Sequence, residues 1–166
     1  MKIFKEEQNF RQTWLILVLI IASIVPITMM IKKHLKTDTT LSTQEFLITI
    51  GVIVLSISLI FFFKLTTRID EKGIHYQFFP LHFKVKTIPW STISKAYVRT
   101  YYPISEFGGW GLRGGFFFNK GKEKAVNVSG DIGIQLIFKN GKKLLIGTQK
   151  KEEAKRVLET YNLKIN

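Results

Sequence analysis

The sequence reads WLILVLIIASIVPITMMI at residues 14–31 and FLITIGVIVLSISLIFFF at residues 46–63, and neither stretch contains a charged side chain or a histidine. A helix of this length spans roughly 27 Å, close to the bilayer hydrocarbon thickness of about 30 Å. Two buried helices of a soluble core are one alternative. A signal peptide at residues 1–31 is another, but its apolar core would be shorter and followed by a small-residue cleavage site. We therefore predict two transmembrane helices, at 14–31 and 46–63.

The basic residues around these helices predict their orientation. Three lie in the tail 1–13, three follow the second helix and three lie in the connecting loop 32–45. The tail contains Lys2, Lys5 and Arg11. The second helix is followed by Lys64, Arg68 and Lys72, and the loop contains Lys32, Lys33 and Lys36. Basic residues accumulate on the cytoplasmic side of membrane helices. We therefore predict a cell-membrane protein with two spans, both termini in the cytoplasm and an extracytoplasmic loop at 32–45.

Residues 64–166 have a different hydrophobic period, which predicts a separate cytoplasmic domain. Apolar and polar residues alternate in six stretches, at 65–69, 74–78, 81–86, 96–100, 132–138 and 144–146. A period of two is typical of strands with one buried face, and the pattern predicts about six or seven antiparallel strands. Asn140-Gly141 predicts a hairpin with a type I′ turn between the last two stretches.

A final change of period predicts a C-terminal helix over residues 149–161. Four apolar residues recur at helical spacing, namely Ala154, Val157, Leu158 and Tyr161. Such a stripe is typical of a helix that packs on a core, and Thr148 is a candidate N-cap. We predict that this helix closes the open end of a curved sheet, that Leu158 and Tyr161 enter the core, and that residues 64–166 fold without the transmembrane helices.

The composition excludes several kinds of chemistry. The chain has 25 basic and 12 acidic residues, a formal net charge of +13, and no cysteine. Without cysteine there are no disulfides, thiolate metal sites or cysteine nucleophiles. A basic surplus fits either nucleic acid or an anionic membrane surface as partner. Because the aromatic residues lie mostly at core-phase positions and form no stacking platform, the sequence disfavours nucleic acid.

Five segments resemble a known family: I-D-E-K-G-I-H-Y at 69–76, I-P-W-S-T-I at 88–93, F-G-G-W-G-L-R at 107–113, V-S-G-D-I-G-I-Q-L at 128–136 and N-G-K-K-L-L-I-G-T-Q at 140–149. With the two N-terminal helices, they are similar to small bacterial membrane proteins that carry a PH-like domain. The resemblance implies a membrane-anchored α+β chain whose two near-orthogonal antiparallel sheets form a sandwich or partly open barrel, capped by a C-terminal helix. It implies a binding platform without catalytic residues, although fold does not settle function.

Motifs for enzyme chemistry are weak. Residues 109–114 match G-x-G-x-x-G, but a dinucleotide site needs a helix that begins within the motif, and the residues that follow do not predict one. A zinc site needs three or four converging ligands. The three histidines of the chain are His34, His75 and His82. His75 and His82 could approach each other across a hairpin, but no carboxylate or third histidine accompanies them in the sequence. We therefore predict no metal, no cofactor and no catalytic residue, and we expect the protein not to be an enzyme.

The glycine-rich segment 105–119 is the main candidate for a binding site. Five glycines within residues 108–115 give the backbone a freedom that a regular strand does not need. We expect this segment to project from the sheet and present its side chains to a partner. The alternative is that Trp110 folds back onto the domain. With basic residues of the predicted strands, the candidate binding residues are Trp110, Arg113, Tyr102, Phe107, Lys84, Lys86 and Arg99.

These features predict a membrane-anchored binding or scaffolding module. In this interpretation the basic domain binds a protein partner or anionic lipid head groups at the cytoplasmic face of the bilayer. The alternative is a structural subunit of a larger membrane complex, assembled through the transmembrane helices, and a homo-oligomer is left open. A binding module should depend on Trp110 and Arg113, whereas a helix-assembled subunit should depend on residues around Gly51.

Overall fold

The computed structural model of the chain describes residues 2–35, 42–114 and 123–165. The chain divides into two compact units. Phe10–Phe63 form a helical unit, whereas Met1–Asn9 and Lys64–Asn166 together form a domain with two sheets and a C-terminal helix. The α+β class expected from the sequence is confirmed.

Two long apolar helices make up the helical unit, α1 over Thr13–Leu35 and α2 over Thr43–Phe61. Both are long and apolar enough to cross a membrane, and none of their described side chains is buried within the chain. Helix α2 begins with a capping box, because Ser42 Oγ accepts from the Glu45 amide (3.2 Å) and the Glu45 carboxylate accepts from the Ser42 amide (3.0 Å). Both helices extend into the loop predicted at 32–45, which is therefore shorter than expected.

The first sheet takes its edge strand from the N-terminus. Its antiparallel strands, in spatial order, are β1 (Phe4–Asn9), β2 (Lys64–Asp70), β3 (Gly73–Phe79) and β4 (Lys86–Pro89). Asn9 is paired with Lys64, so the whole segment 10–63 is inserted where a hairpin turn would otherwise join β1 to β2. Residues 4–9 of the predicted N-terminal tail (1–13) thus form the edge strand of this sheet.

Strand β1 is held in the domain by a buried carboxylate. Glu6 is only 4% exposed, and its carboxylate accepts hydrogen bonds from the Thr148 hydroxyl (2.6 Å) and the Gln149 amide (2.8 Å). Phe4 on the same face is fully buried. Sequence periodicity missed this strand because two of its three inward positions hold polar residues. Residues 64–166 alone therefore lack the edge strand that brings Phe4 and Glu6 into the core, which argues against the expectation that they fold independently.

The second sheet contains five strands in the order β5–β8–β9–β7–β6. They are β5 (Ile93–Thr100), β6 (Gly111–Arg113), β7 (Glu123–Asn127), β8 (Ile132–Phe138) and β9 (Lys143–Gly147). Strands β7 and β9 run parallel, and the other neighbours are antiparallel. The expectation of purely antiparallel sheets is therefore wrong at this one pairing.

The strand predicted at 81–86 is also wrong, because β4 begins only at Lys86 and the apolar residues before it are exposed. Gln77 explains the difference. Its side-chain amide donates to the carbonyls of His82 (3.2 Å) and Phe83 (3.0 Å), which bends this stretch into a loop. The alternation of apolar and polar residues at 81–86 therefore belongs to a solvent-exposed loop and not to a strand with one buried face.

The hairpin predicted at Asn140-Gly141 joins β8 to β9, but its turn is not type I′. Only Gly141 has a positive φ (75°), and the Gly141 amide donates to the Phe138 carbonyl (2.9 Å). The Asn140 side chain instead accepts from the Lys142 amide (3.0 Å). A longer turn that ends in one left-handed glycine is the next most common hairpin connection.

Helix α4 (Lys151–Tyr161) packs on the domain as predicted. Its buried residues are Ala154, Val157, Leu158 and Tyr161. Trp90, in the 3₁₀ turn between β4 and β5, stacks on Tyr161 with 5.4 Å between ring centroids. The Trp90 indole N–H donates to the Asp70 carbonyl (2.9 Å), so one side chain connects the helix to the β2–β3 turn.

The N-terminus of α4 differs from the prediction. Lys150, not Thr148, occupies the N-cap position, and it makes no side-chain capping bond. The Thr148 hydroxyl accepts from the Lys150 amide (3.1 Å) and donates to Glu6. Thr148 is thus engaged by strand β1, a partner that lies far away in the sequence.

Candidate functional site

The segment from Tyr101 to Arg113 is folded onto the second sheet. A short helix α3 (Pro103–Phe107) follows β5, and strand β6 then pairs with β7. Gly108 ends α3 with φ of 71°, and its amide donates to the Ile104 carbonyl (2.8 Å). A left-handed glycine at this position is a common way to end a helix. Two of the segment's glycines therefore have defined backbone roles, as a helix cap and as the start of an edge strand.

Tyr101 connects this segment to the core. Its ring is fully buried, and its hydroxyl accepts from the Asn127 side-chain amide (2.8 Å). The Asn127 side-chain oxygen in turn accepts from the Gly111 amide (2.8 Å). Burial raises the pKa of the Tyr101 hydroxyl, so it stays neutral. The buried Asn127 therefore binds both the start of the segment and its returning strand.

Trp110 and Arg113, the leading candidates from the sequence, bind within the domain. The Trp110 indole N–H donates to the Gly130 carbonyl (3.0 Å), and Arg113 Nε donates to the Trp110 carbonyl (2.9 Å). The expectation that residues 105–119 project from the sheet is therefore wrong for 105–114. Residues 115–119 lie outside the described residues.

Arg99 is occupied by an internal ion pair. Its guanidinium binds the Glu106 carboxylate through two contacts (2.7 and 3.2 Å), and its Nε donates to the buried Gln135 side chain (2.9 Å). The hydrogen bond from Arg99 lowers the pKa of Glu106, and the bond from the Tyr102 amide adds to this effect. Arg99 thus fixes α3 against the sheet, and the structure gives it a positioning role.

Phe107 and Tyr102 fall on opposite sides of this segment. The Phe107 ring meets the buried Tyr101 ring edge to face, with 5.9 Å between centroids. Tyr102 is 73% exposed beside the equally exposed Ile104. Of the aromatic candidates, Tyr102 is therefore the one whose side chain is presented to solvent.

Lys84 and Lys86 lie in and just after the loop that Gln77 fixes. Both are exposed, and Lys86 Nζ lies 2.8 Å from His82 Nε2 and 5.9 Å from the centre of the Tyr76 ring. Burial and the Lys86 charge lower the pKa of His82. A neutral His82 therefore accepts the hydrogen bond from the lysine.

A cleft of about 450 Å³ lies among residues of both sheets, and we call it the lysine cleft. Its four basic side chains are Lys86, Lys124, Lys142 and Lys143, and its apolar lining comprises Tyr76, Ile88, Phe138 and Leu144. The lysines are exposed, whereas three of the four apolar residues are buried. No carboxylate is among the described residues that line the cleft. Four ammonium groups around an apolar base suit a ligand with an anionic head and an apolar body.

The sequence analysis identified Lys86 but missed the other three lysines of this cleft. Lys142 and Lys143 follow the hairpin turn, and Lys124 lies on β7, whose parallel register places it opposite Leu144. A basic pair directly after Asn-Gly is a usable signal for a charged sheet end. The parallel contribution of β7 had no sequence signal.

A second polar group lies near the β2–β3 turn. His75 Nε2 is 3.1 Å from the Asp70 carboxylate, and His75 Nδ1 is 2.9 Å from the Thr87 hydroxyl. Burial acts to raise the pKa of Asp70, but hydrogen bonds from His75 and the Lys72 amide outweigh it, so this pKa is lowered. Within the described residues, no three His, Asp or Glu side chains converge as a metal site would require. This group therefore organises the turn.

The described part of the domain thus offers a concave surface whose charged lining residues are all lysines, and an aromatic segment that is engaged internally. The two sheets and the C-terminal helix give the domain an α+β architecture. No protein-family model, no curated protein and no solved structure matches the chain.

Proposed function

We propose that the protein is a membrane-anchored binding module, in which α1 and α2 span the bilayer and a PH-like domain binds an anionic ligand at the membrane surface. The observation that carries the anchoring is the exposure of both helices. None of their described side chains is buried, although the helices are almost entirely apolar. Removing apolar area from water stabilises by about 25 cal/mol per Å², and a bilayer would cover these surfaces completely.

Strand pairing supports a hairpin that crosses the membrane twice. Asn9 and Lys64 are paired in one sheet, so the chain leaves the domain and returns to it on the same side of the membrane. An even number of crossings must lie between them, and two candidate spans are present. More basic residues lie before the first helix and after the second than in the loop between them, which favours the cytoplasm for the side that carries the domain. A reporter fused after Asn166 that works only outside the cytoplasm would contradict this topology.

The lysine cleft supports the binding function. Each basic residue close to an anionic leaflet contributes on the order of 1 kcal/mol to attraction, within a Debye length. The described lining of the cleft contains four lysines and no carboxylate, which concentrates positive charge beside apolar surface. The ligand class that this chemistry fits best is an anionic lipid or another anionic amphiphile.

Anchoring is tested by removing the insertion and keeping every strand. Because Asn9 and Lys64 are paired, a two-residue Asn-Gly turn can join them directly. We expect the full chain to stay in the membrane pellet after alkaline carbonate extraction. We expect the variant that lacks residues 10–63 to be soluble and to melt cooperatively by circular dichroism.

The fragment 64–166 is the matched control, because it lacks both the helices and β1. It should fail to melt cooperatively, since Glu6 and Phe4 no longer complete the core. Release of the full chain by carbonate would contradict the anchoring.

Binding is tested in the full chain, reconstituted in nanodiscs of zwitterionic lipid. The variant K124Q/K142Q/K143Q should lose most of its affinity for dihexanoyl phosphatidylglycerol in a fluorescence titration. A control variant with the same change in net charge, K95Q/K151Q/K155Q, alters exposed lysines outside the cleft and should bind like the unmodified protein. Equal loss in both variants would mean that only net charge matters. Retained binding in both variants would contradict the lysine cleft as the binding site. It would favour the alternative, a subunit of a complex assembled through the transmembrane helices.

A further inference from the structure

Residues 79–85, FPLHFKV, form an exposed apolar surface that we call the FPLHFKV loop. Its exposed apolar side chains are Phe79, Leu81, Phe83 and Val85, and Phe83 is 80% exposed. Lys84 lies between two of them and Lys86 follows directly. Soluble surfaces expose single apolar residues routinely, but a cluster rimmed by charge marks an interaction site.

The loop holds this surface in a defined conformation. The Gln77 side chain donates to the carbonyls of His82 and Phe83, and the His82 amide donates to the Phe78 carbonyl (2.8 Å). The Phe79 and Phe83 rings meet edge to face, with 6.2 Å between centroids. These three bonds hold part of the loop backbone internally, while the apolar side chains are exposed in the folded state.

The register of the first sheet places this loop beside the attachment point of the helices. Asn9, Lys64 and Phe79 lie in one row across β1, β2 and β3. Neighbouring strands are about 4.8 Å apart, and a chain advances at most about 3.6 Å per residue. Since α2 ends at Phe61, the loop begins within roughly 20 Å of the end of that helix, by covalent connection alone.

We propose that the FPLHFKV loop inserts into the interface of the anionic leaflet that α1 and α2 span, with Phe83 and Leu81 among the acyl chains and Lys84 and Lys86 at the lipid phosphates. This inference rests on the proposed membrane anchoring. Aromatic side chains favour the interface, and lysine stems cover apolar surface while their ammonium groups reach the head groups. The loop then adds a third contact with the bilayer to the two helical connections.

The test uses the absence of cysteine from the chain. Full-length F83C and L163C are labelled with a nitroxide and reconstituted in vesicles of phosphatidylcholine with phosphatidylglycerol. Leu163 is the matched control because it is 88% exposed and its neighbour Lys164 contacts the Glu71 carbonyl (3.1 Å). Glu71 lies in the β2–β3 turn, at the end of β2 opposite Lys64, so the control site is far from the helix attachment.

We expect the label at position 83 to collide with a water-soluble nickel chelate at least about threefold less often than the label at position 163, and to collide more often with oxygen. In phosphatidylcholine alone the protection should weaken, because the lysines lose their anionic partners. Equal chelate access at both positions would overturn the proposal. Protection that comes with dipolar broadening would also overturn it, because a second copy would then be the occupant.

Flotation separates this inference from the anchoring on which it rests. If the labelled chain fails to float with the vesicles, the proposed anchoring is wrong and the inference falls with it. If the chain floats but the label at position 83 remains in water, only the assignment of the loop is wrong. Protection that does not depend on lipid charge would overturn the role given to Lys84 and Lys86.

Discussion

Two segments of the domain combine aromatic and basic residues, and the fold uses them in opposite ways. In the FPLHFKV loop, hydrogen bonds from Gln77 fix the backbone and leave the apolar side chains exposed. In the segment 101–113, hydrogen bonds from Asn127 and to Gly130 draw the rings onto the sheet. The difference shows that composition finds an aromatic cluster, whereas the location of its polar partners decides which way it faces.

The largest effect should come from the buried end of the second segment. Tyr101→Ala should lower the free energy of unfolding by about 3–5 kcal/mol, because it removes a fully buried ring and the hydroxyl that Asn127 binds. Tyr102→Ala, one residue away and 73% exposed, should change it by no more than about 0.5 kcal/mol. Urea unfolding of both variants measures the contrast. Similar losses of stability in both variants would contradict the description of Tyr101 as buried and Tyr102 as exposed.

A second effect tests whether Trp110 and Arg113 are structural. The double change Trp110→Ala with Arg113→Ala removes the hydrogen bonds to Gly130 and within the segment, and should cost about 2–3 kcal/mol. Its affinity for phosphatidylglycerol should stay unchanged below the melting transition. A variant with full stability and lost lipid binding would restore this pair as the binding site expected from the sequence.

Arg99 should give a smaller loss with its own dependence on pH. Arg99→Ala removes the guanidinium donor from Glu106, which keeps the Tyr102 amide, and from Gln135, and it should cost about 1–3 kcal/mol. Since the pKa of Glu106 is lowered from 4.5, the pair stabilises fully above that pH and is lost as the pH falls through the lower folded value. The melting temperature of the variant should therefore fall less steeply than that of the unmodified protein as the pH is lowered. Lys95→Ala on the same strand is the control, and its melting temperature should fall as steeply as that of the unmodified protein.

The smallest effect concerns the order of the FPLHFKV loop. The pKa of His82 is lowered from 6.5, so the folded loop is favoured above pH 6.5 and loosens as the pH falls below it. Protonation would also place a second positive charge beside Lys86. Hydrogen exchange of the amide at position 82, corrected for intrinsic rate, should accelerate below pH 6.5 in the unmodified chain. His82→Gln should remove this pH dependence of the exchange rate. If the variant keeps the same pH dependence, another titrating group must cause it.

Local sequence predicted the elements that are continuously apolar or that alternate with a regular period. Helices α1 and α2 are uninterrupted apolar runs, whereas strands β2, β3, β5, β8 and β9 and helix α4 follow a period of two or of 3.6 residues. Leu158 and Tyr161 are buried as expected. These elements carry their own pattern, so local sequence was sufficient to find them.

The remaining elements depend on partners that are distant in the sequence. Strand β1 was missed because Glu6 reads as a surface residue until Thr148 and Gln149 provide its hydrogen bonds. Strand β7 ends in Asn127, which is fully buried only because Tyr101 and Gly111 use its side chain. The capping box at the start of α2, formed by Ser42 and Glu45, is by contrast a local signal that the sequence contains.

The insertion of residues 10–63 between two paired strands also delays their pairing while the chain is synthesised. Strand β1 leaves the ribosome first, and at about 5–20 residues per second its partner β2 follows only after roughly 3–10 s. During that interval Glu6 and Phe4 have no core to enter. In a chain whose helices span the bilayer, β1 and β2 meet only when both helices have inserted and returned the chain to its starting side. If the helices span the bilayer as proposed, completion of the domain would depend on correct membrane insertion, and a misinserted chain would keep unpaired strand edges open to proteases.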